Sequence, residues 1–308
     1  MPHPFTDTIA MLRMISIVVM LLLGVLASVQ AGTLRERLQE RRAEQAQRQT
    51  SAQLPSGSRV LREQHYGNHP LQRFDLYLPP AAENAPIIFM VHGGGWHTGD
   101  KSMSSVVDNK AAHWLRKGYV FVSSNYQLIP ETGPLLQADD VALAFTTVQQ
   151  QARSWGGDPT RMVLMGHSAG AHLVSLLASD SRRAPNAKPL WLGTVALDSA
   201  AFDISPIMLQ RHYALYDKAF GSDPELWRAA SPLQVLQPGA RPLLAVCSSR
   251  REEACPQAEA FAAKAAGLGV KVGVLRKDLS HRQINQLLGS DNTYTAEVDA
   301  FLTQLGLP

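Results

Sequence analysis

Beyond residue 58, short apolar runs alternate with segments of helical periodicity. Phe74 to Leu78, Ile87 to His92, Tyr119 to Ser123 and Met162 to Met165 predict strands, and Thr194 to Leu197, Leu243 to Val246 and Val270 to Leu275 continue the series. Runs this evenly apolar suit a parallel sheet covered on both faces. Between them, Val141, Phe145, Val148 and Ala152 follow the spacing of a buried helical face. Phe261, Ala265 and Leu268 repeat it after Pro256, and Val298, Phe301, Leu302 and Leu305 mark a last helix. The alternation predicts a doubly wound α/β sheet, whose ligand sites lie at the carboxyl ends of the strands. The segment Phe202 to Pro232 is longer than an ordinary connection and carries Ile207, Met208, Leu209, Tyr213 and Tyr216. Two forms fit it, a small cap over the site or surface helices packed on the sheet.

The N-terminus breaks this pattern. Arg13 precedes an apolar run from Met14 to Val29 that ends in Val29-Gln30-Ala31 before Gly32, the layout of a signal peptide over residues 1–31. The run is shorter than the roughly 20 residues needed to span a bilayer. The expectation is therefore an exported protein, periplasmic or secreted, with no stable membrane insertion after leader removal; an uncleaved membrane anchor is the alternative. Residues 32–58 are rich in Arg, Glu, Gln and Ala and poor in apolar side chains, which predicts a basic, solvated linker, disordered or partly helical. Residues 59–308 then form one catalytic domain, and a chain of 308 residues that is 45% hydrophobic has the material for its core. The net charge of +3 owes much to the linker arginines, and nothing else reads as a nucleic-acid surface. In an exported chain, the two cysteines, Cys247 and Cys255, are expected to form a disulfide.

Candidate chemistry gathers at the predicted strand ends. Gly166-His167-Ser168-Ala169-Gly170 has the form G-x-S-x-G and lies between a strand and a helix, the context of a nucleophile elbow with Ser168 at its tip. A serine in so tight a turn needs small neighbours, and Gly166 and Gly170 supply them. Upstream, His92-Gly93-Gly94-Gly95-Trp96 follows the strand Ile87 to Val91. A glycine run there lets backbone N–H groups meet a developing oxyanion, with Gly94, Gly95 and the amide of Ala169 as candidate donors. His92 reads as a brace for that loop, and Trp96 as a wall of the substrate pocket.

Serine at neutral pH needs an imidazole base, and with an elbow of this kind the partners follow in the order Ser, acid, His. Three histidines lie C-terminal to Ser168. His172 belongs to the nucleophile helix and His212 precedes the strand expected to carry the acid, leaving His281 in the loop before the last helix. The acid is expected after the strand Leu243 to Val246. Counting back from Pro256 favours Glu252, Glu253 competes, and Asp278 is an outsider. Both glutamates lie between the cysteines, so a bridge would fix the acid loop.

Together with Gly99-Asp100-Lys101, Asn125-Tyr126, Pro130 and Asp158-Pro159, these motifs resemble the carboxylesterase and arylformamidase-like branch of the α/β-hydrolases from about Arg59 onward. His167 matches that branch better than the hormone-sensitive-lipase branch, which usually has aspartate there. The resemblance implies the α/β-hydrolase fold, Ser168 as nucleophile, His281 as base and an oxyanion hole of Gly94, Gly95 and Ala169. An apolar cap with Trp96 and Tyr126 would suit a small acyl or aryl ester. Asp100 and Lys101 read as a structural ion pair. The acid departs from the branch's pattern, an aspartate after a glycine-bearing turn. The expected function is hydrolysis of small-molecule carboxylic esters through a Ser-His-Glu triad and an acyl-enzyme. The alternatives are an arylformamidase-like amide hydrolase and a catalytically inactive binding protein of the same fold. No metal-ligand spacing or phosphate loop is present in the sequence, so neither metal nor cofactor is expected.

Overall fold

In the computed structural model, which describes residues 53–308, the chain forms one eight-stranded sheet in the order β1-β2-β4-β3-β5-β6-β7-β8. The strands are β1 (Arg59–His65), β2 (Arg73–Leu78), β3 (Ala85–Val91), β4 (Val120–Ser124), β5 (Gly157–His167), β6 (Gly193–Leu197), β7 (Leu243–Ser248) and β8 (Val272–Lys277). β2 is antiparallel to both of its neighbours, and every pairing from β4 to β8 is parallel. This is the α/β-hydrolase fold. The leader, and the linker up to residue 52, lie outside the described residues.

Side-chain alternation along the central strands sorts the core into two layers. Ile87, Phe89 and Val91 of β3 face one cluster with Val122 and Leu164, and it is covered by α2 (Pro134–Gln151) and by α3 (Ala169–Ser179). Ile88 and Met90 face the other, with Phe121, Val163 and Val246, beneath α1 (Ser104–Arg116) and the terminal helix α10 (Thr293–Gln304). Both faces are thus buried, which is why these strands read as continuous apolar runs. Strand β1 does not: Arg59-Val60-Leu61-Arg62-Glu63-Gln64-His65 alternates weakly at a sheet edge, and its pairing slips between Leu61 and Gln64 where Glu63 takes a φ of 54°.

The segment after β6 forms four short helices, α4 (Ile204–Met208), α5 (Ala214–Phe220), α6 (Pro224–Ala229) and α7 (Pro232–Val235). They pack on the core, as one of the two forms left open by the sequence requires, and they also wall a cleft. Phe220 and Ala230 are buried and Ile207 and Tyr216 pack on the core, while Ile207, Tyr213 and Tyr216 also line a cleft of about 570 Å³. Two further helices complete the fold, α8 (Ala254–Gly267) after β7 and α9 (His281–Leu287) after β8. No helix among the described residues is long and apolar enough to cross a membrane.

Lys101 is part of an ion cluster rather than a pair with Asp100. Its buried ammonium meets Asp75 at 3.1 Å and the exposed Glu63, and Asp75 also accepts from Arg62 at 2.7 Å and from the backbone N–H of Glu63 at 2.9 Å. Asp100 instead caps its own turn through Ser102 and accepts from Asn125. Asp75→Asn would leave a buried ammonium facing one exposed carboxylate, and a buried charge stripped of its partner costs about 3 kcal/mol or more. Urea unfolding should show a loss of that size for Asp75→Asn, and about 1 kcal/mol or less for Arg62→Ala at the exposed end of the cluster.

Candidate active site

The last residues of β5 deliver Ser168 into a turn with φ 55° and ψ −118°, a conformation that L-residues adopt only under constraint. The constraint is visible in the neighbouring glycines. A Cβ on Gly166 would lie 2.4 Å from the carbonyl of Gly170, and one on Gly170 would lie 2.4 Å from the carbonyls of both Val91 and His92. The turn is therefore compressed between its own helix and the end of β3. Ser168 donates its backbone N–H to Leu197 at 2.9 Å, and its side chain remains partly exposed while the residues around it are buried.

The glycine loop after β3 packs directly on this turn. A Cβ on Gly93 would come within 2.9 Å of the Ser168 Cβ, and Gly94, Gly95 and Trp96 all have positive φ. Behind the loop, the His92 Nδ1 bonds the Gly93 carbonyl at 2.7 Å, and Gly99 folds back so closely that a Cβ there would meet both groups. The side-chain oxygen of Asn125 accepts from the Lys101 N–H, joining the loop to β4. His92 is thus the brace that the sequence indicated. Gly94 and Gly95 lie in the loop that meets Ser168, and Ala169 opens α3 right after it.

Tyr126 does not face a pocket. It is fully buried, stacks on His92 with ring centroids 4.6 Å apart and donates its hydroxyl to the His92 carbonyl. Its role as a substrate contact is therefore corrected to support for the glycine loop. Trp96 is also buried. Its indole N–H donates to His172 Nδ1 at 3.1 Å, and its ring meets Phe220 and Tyr216, so it backs the cleft wall that Tyr216 presents. The His172 Nε2 bonds the Ala230 carbonyl at 2.7 Å, and burial lowers this imidazole to about 4, keeping it neutral.

His281 opens α9, whose N-terminus is closed by a reciprocal capping box between Ser280 and Gln283. Its ring lies 4.5 Å from that of His167, the residue before Ser168, and His167 Nε2 donates to the His281 carbonyl at 3.1 Å. Burial, and after it the charge of His281, hold His167 well below the usual imidazole range, so it acts as a neutral donor. The base expected from the sequence therefore stands beside the elbow.

The carboxylate that meets His281 is not one of those the sequence offered. The His281 Nδ1 lies 2.6 Å from Oδ2 of Asp198, a fully buried carboxylate immediately after β6. Glu252 and Glu253 are both exposed; Glu253 precedes α8 and lines the cleft, and neither makes a bond to His281. Asp278 is also exposed and pairs with Arg250. Asp198 sits at φ 54°, a left-handed position that aspartate tolerates better than most residues. The loop after β7 still takes part. The Ser248 N–H donates to Asp198 Oδ1 at 2.7 Å, and Arg251 donates to Oδ2 at 2.9 Å and to the Asp198 carbonyl at 3.0 Å. Cys247 and Cys255 form the expected disulfide across this loop. Its effect on the acid is one step removed, because it fixes the donors and not the carboxylate.

A sequence signal for Asp198 existed. It is an acidic residue directly at the carboxyl end of an apolar strand, in Leu197-Asp198-Ser199-Ala200, where sites on this kind of sheet are built. It lies one strand earlier than Leu243 to Val246, after which the sequence reading expects the acid. Among the described residues, no group of three or more His, Cys, Asp or Glu side chains could hold a metal ion.

The sheet order and the elbow are those of the α/β-hydrolases, and comparison with known proteins agrees. The BD-FAE family model matches residues 74–204. A probable isoprenylcysteine alpha-carbonyl methylesterase of Arabidopsis thaliana is 34% identical over 119 residues, 38% of this chain and 28% of that protein. The kynurenine formamidase of Danio rerio is 29% identical over 154 residues, half of each chain. Esterase B of Lactobacillus rhamnosis superposes with a TM-score of 0.70 at 20% identity, covering 91% of this chain and 94% of that one. The chain spans less than a third of the first of these relatives and half of the second. The structural likeness shows the α/β-hydrolase fold, and the sequence likenesses to esterases cover part of the chain.

Burial alone would push the Asp198 carboxyl up. The bond from His281, the charge of Arg251 and the Ser248 N–H outweigh it and hold the group at about 2. A carboxylate depressed below its ordinary value of about 3.9 contributes stability that is fully present above that pH and is lost as pH falls through about 2. Urea unfolding of the parent between pH 4 and pH 2 should therefore show an acid-side loss of about 2 kcal/mol that Asp198→Asn lacks.

Proposed function

We propose that the protein is a serine carboxylic ester hydrolase with Ser168 as nucleophile, His281 as base and Asp198 as the acid that orients it. The observation that carries this reading is the 2.6 Å contact between the His281 Nδ1 and a fully buried carboxylate, made beside a strained serine turn. A contact that short to an ionised acceptor needs the proton on Nδ1, which leaves the Nε2 lone pair free to take a proton. In the first half-reaction, Ser168 Oγ bonds to the ester carbonyl carbon as His281 takes the hydroxyl proton. The tetrahedral oxyanion would be met by the N–H groups of Gly94, Gly95 and Ala169. Collapse breaks the bond to the alcohol oxygen, which leaves with the proton from His281. Water then repeats the sequence on the acyl-enzyme and releases the carboxylic acid.

The cleft lined by Ile207, Tyr213 and Tyr216 adjoins the site through Arg251, which also lines it and contacts His281, and its volume suits an ester of modest size. The leader-like residues 1–31 and the disulfide support an exported protein, since disulfides persist where thiols oxidise. The same machinery would cleave an N-formyl aryl amide, and the likeness to a formamidase over half of the chain keeps that reading in view.

Parallel turnover of p-nitrophenyl acetate and an N-formyl aryl amine separates the two, with the ester expected to be the better substrate. Ser168→Ala should lower ester turnover by about four to six orders of magnitude. A fluorophosphonate should label the parent at Ser168. Absence of both labelling and turnover would instead identify a binding protein on a hydrolase fold.

A further inference from the structure

The eight-position separation between Cys247 and Cys255 encloses the residues that hold the acid. Ser248 reaches one carboxylate oxygen of Asp198 through its backbone, and Arg251 reaches the other through Nη1. The loop is also tied to the chain leading into His281. The Ser248 hydroxyl donates to the Leu279 carbonyl at 2.6 Å, and the Ser249 N–H donates to the Lys277 carbonyl at 3.0 Å. One stapled loop therefore bonds both the acid and the segment that presents the base.

Arg251 is the unusual member. Its Nη1 stands 2.9 Å from Asp198 Oδ2 and 3.1 Å from the His281 Nδ1. With the proton on Nδ1 and donated to Asp198, the nitrogen has no lone pair to offer, so the second contact is an approach of two donors that share one acceptor. The arrangement orients the carboxylate and opposes a positive charge on the imidazole. The other groups around the ring are Asp198 at the end of β6 and His167 at the end of β5. Further out, Lys110 of α1 acts on His167 and Tyr294 of α10 feels Asp198, while Arg250 and Asp278 pair with each other. Arg251 is thus the guanidinium in direct contact with the Asp198–His281 pair.

We propose that Arg251 is a positioning residue for the Asp198–His281 pair, and that the Cys247–Cys255 bridge governs turnover by holding the loop that carries Arg251. The inference rests on the ester-hydrolase reading and adds to it the feature that makes an acid after β6 workable. Losing Arg251 frees the carboxylate to turn and removes the charge that opposes the imidazolium. The bridge matters through Arg251, so breaking it should do little once Arg251 is gone.

The test is kcat and KM for a neutral ester as a function of pH, in the parent, Arg251→Met and Arg251→Lys. The bridge is then opened in the parent and in Arg251→Met, both by Cys247→Ala with Cys255→Ala and by phosphine reduction, with circular dichroism reporting the fold. Arg251→Met should lower kcat about ten- to a hundredfold with KM changed less than about threefold. The acid limb of its profile should move to higher pH, and Arg251→Lys should restore the limb and much of kcat. Opening the bridge should slow the folded parent and leave Arg251→Met nearly unchanged. An active parent with an unaltered Arg251→Met variant overturns the role of Arg251. An equal loss in parent and variant on opening the bridge, or no loss in the folded parent, overturns the coupling. A parent that neither turns over an ester nor labels at Ser168 removes the hydrolase reading itself, and this inference with it.

Discussion

A carboxylate taken wholly out of water must find donors for its oxygens, and in this protein the donors come from two distant stretches of chain. Asp198 follows β6, Ser248 ends β7 with Arg251 just beyond it, and His281 opens the helix after β8. None of these contacts is local in sequence. Each becomes possible only when β6, β7 and β8 pair in parallel with their carboxyl ends level, as the register Leu197 to Val246 and Val246 to Leu275 provides. Satisfying one charge thus fixes the edge of the sheet beside which His281, the proposed base, stands.

The serine side of the site depends on a different economy, the absence of atoms. Gly93, Gly166 and Gly170 leave room for three backbone segments to meet at distances that a side chain would prevent. Behind them, polar groups stiffen the assembly: His92 and Tyr126 beneath the glycine loop, Asn125 and Asp100 beside it, and the Lys101 cluster reaching to β1 and β2. A flexible glycine loop becomes a fixed one because its neighbours leave it few conformations.

Much of this could be read from the sequence because it is written in local patterns. Seven strands announced themselves as apolar runs, and Ser168 and the glycine loop as short motifs at strand ends. His281 followed from chain order, and the cysteine pairing from the character of the N-terminus. β1 escaped because an edge strand with Arg59, Arg62 and Glu63 buries too little to show a period. Asp198 escaped for another reason. Its contacts depend on what lies across space, and the acid was expected one strand later, after Leu243 to Val246. The same gap hid the burial of Tyr126, since a tyrosine beside a motif reads alike whether it faces solvent or the back of a loop.

The irregular pairing of β1 has a consequence at the rim of the sheet. An open strand offers unpaired N–H and C=O groups to any extended chain that passes. Here the edge strand β1 carries charge of both signs, and its pairing is broken near its middle by the positive φ of Glu63. Such an outline presents no straight ladder for a foreign strand to continue, so among the described residues this edge of the sheet is poorly shaped for self-association into fibres.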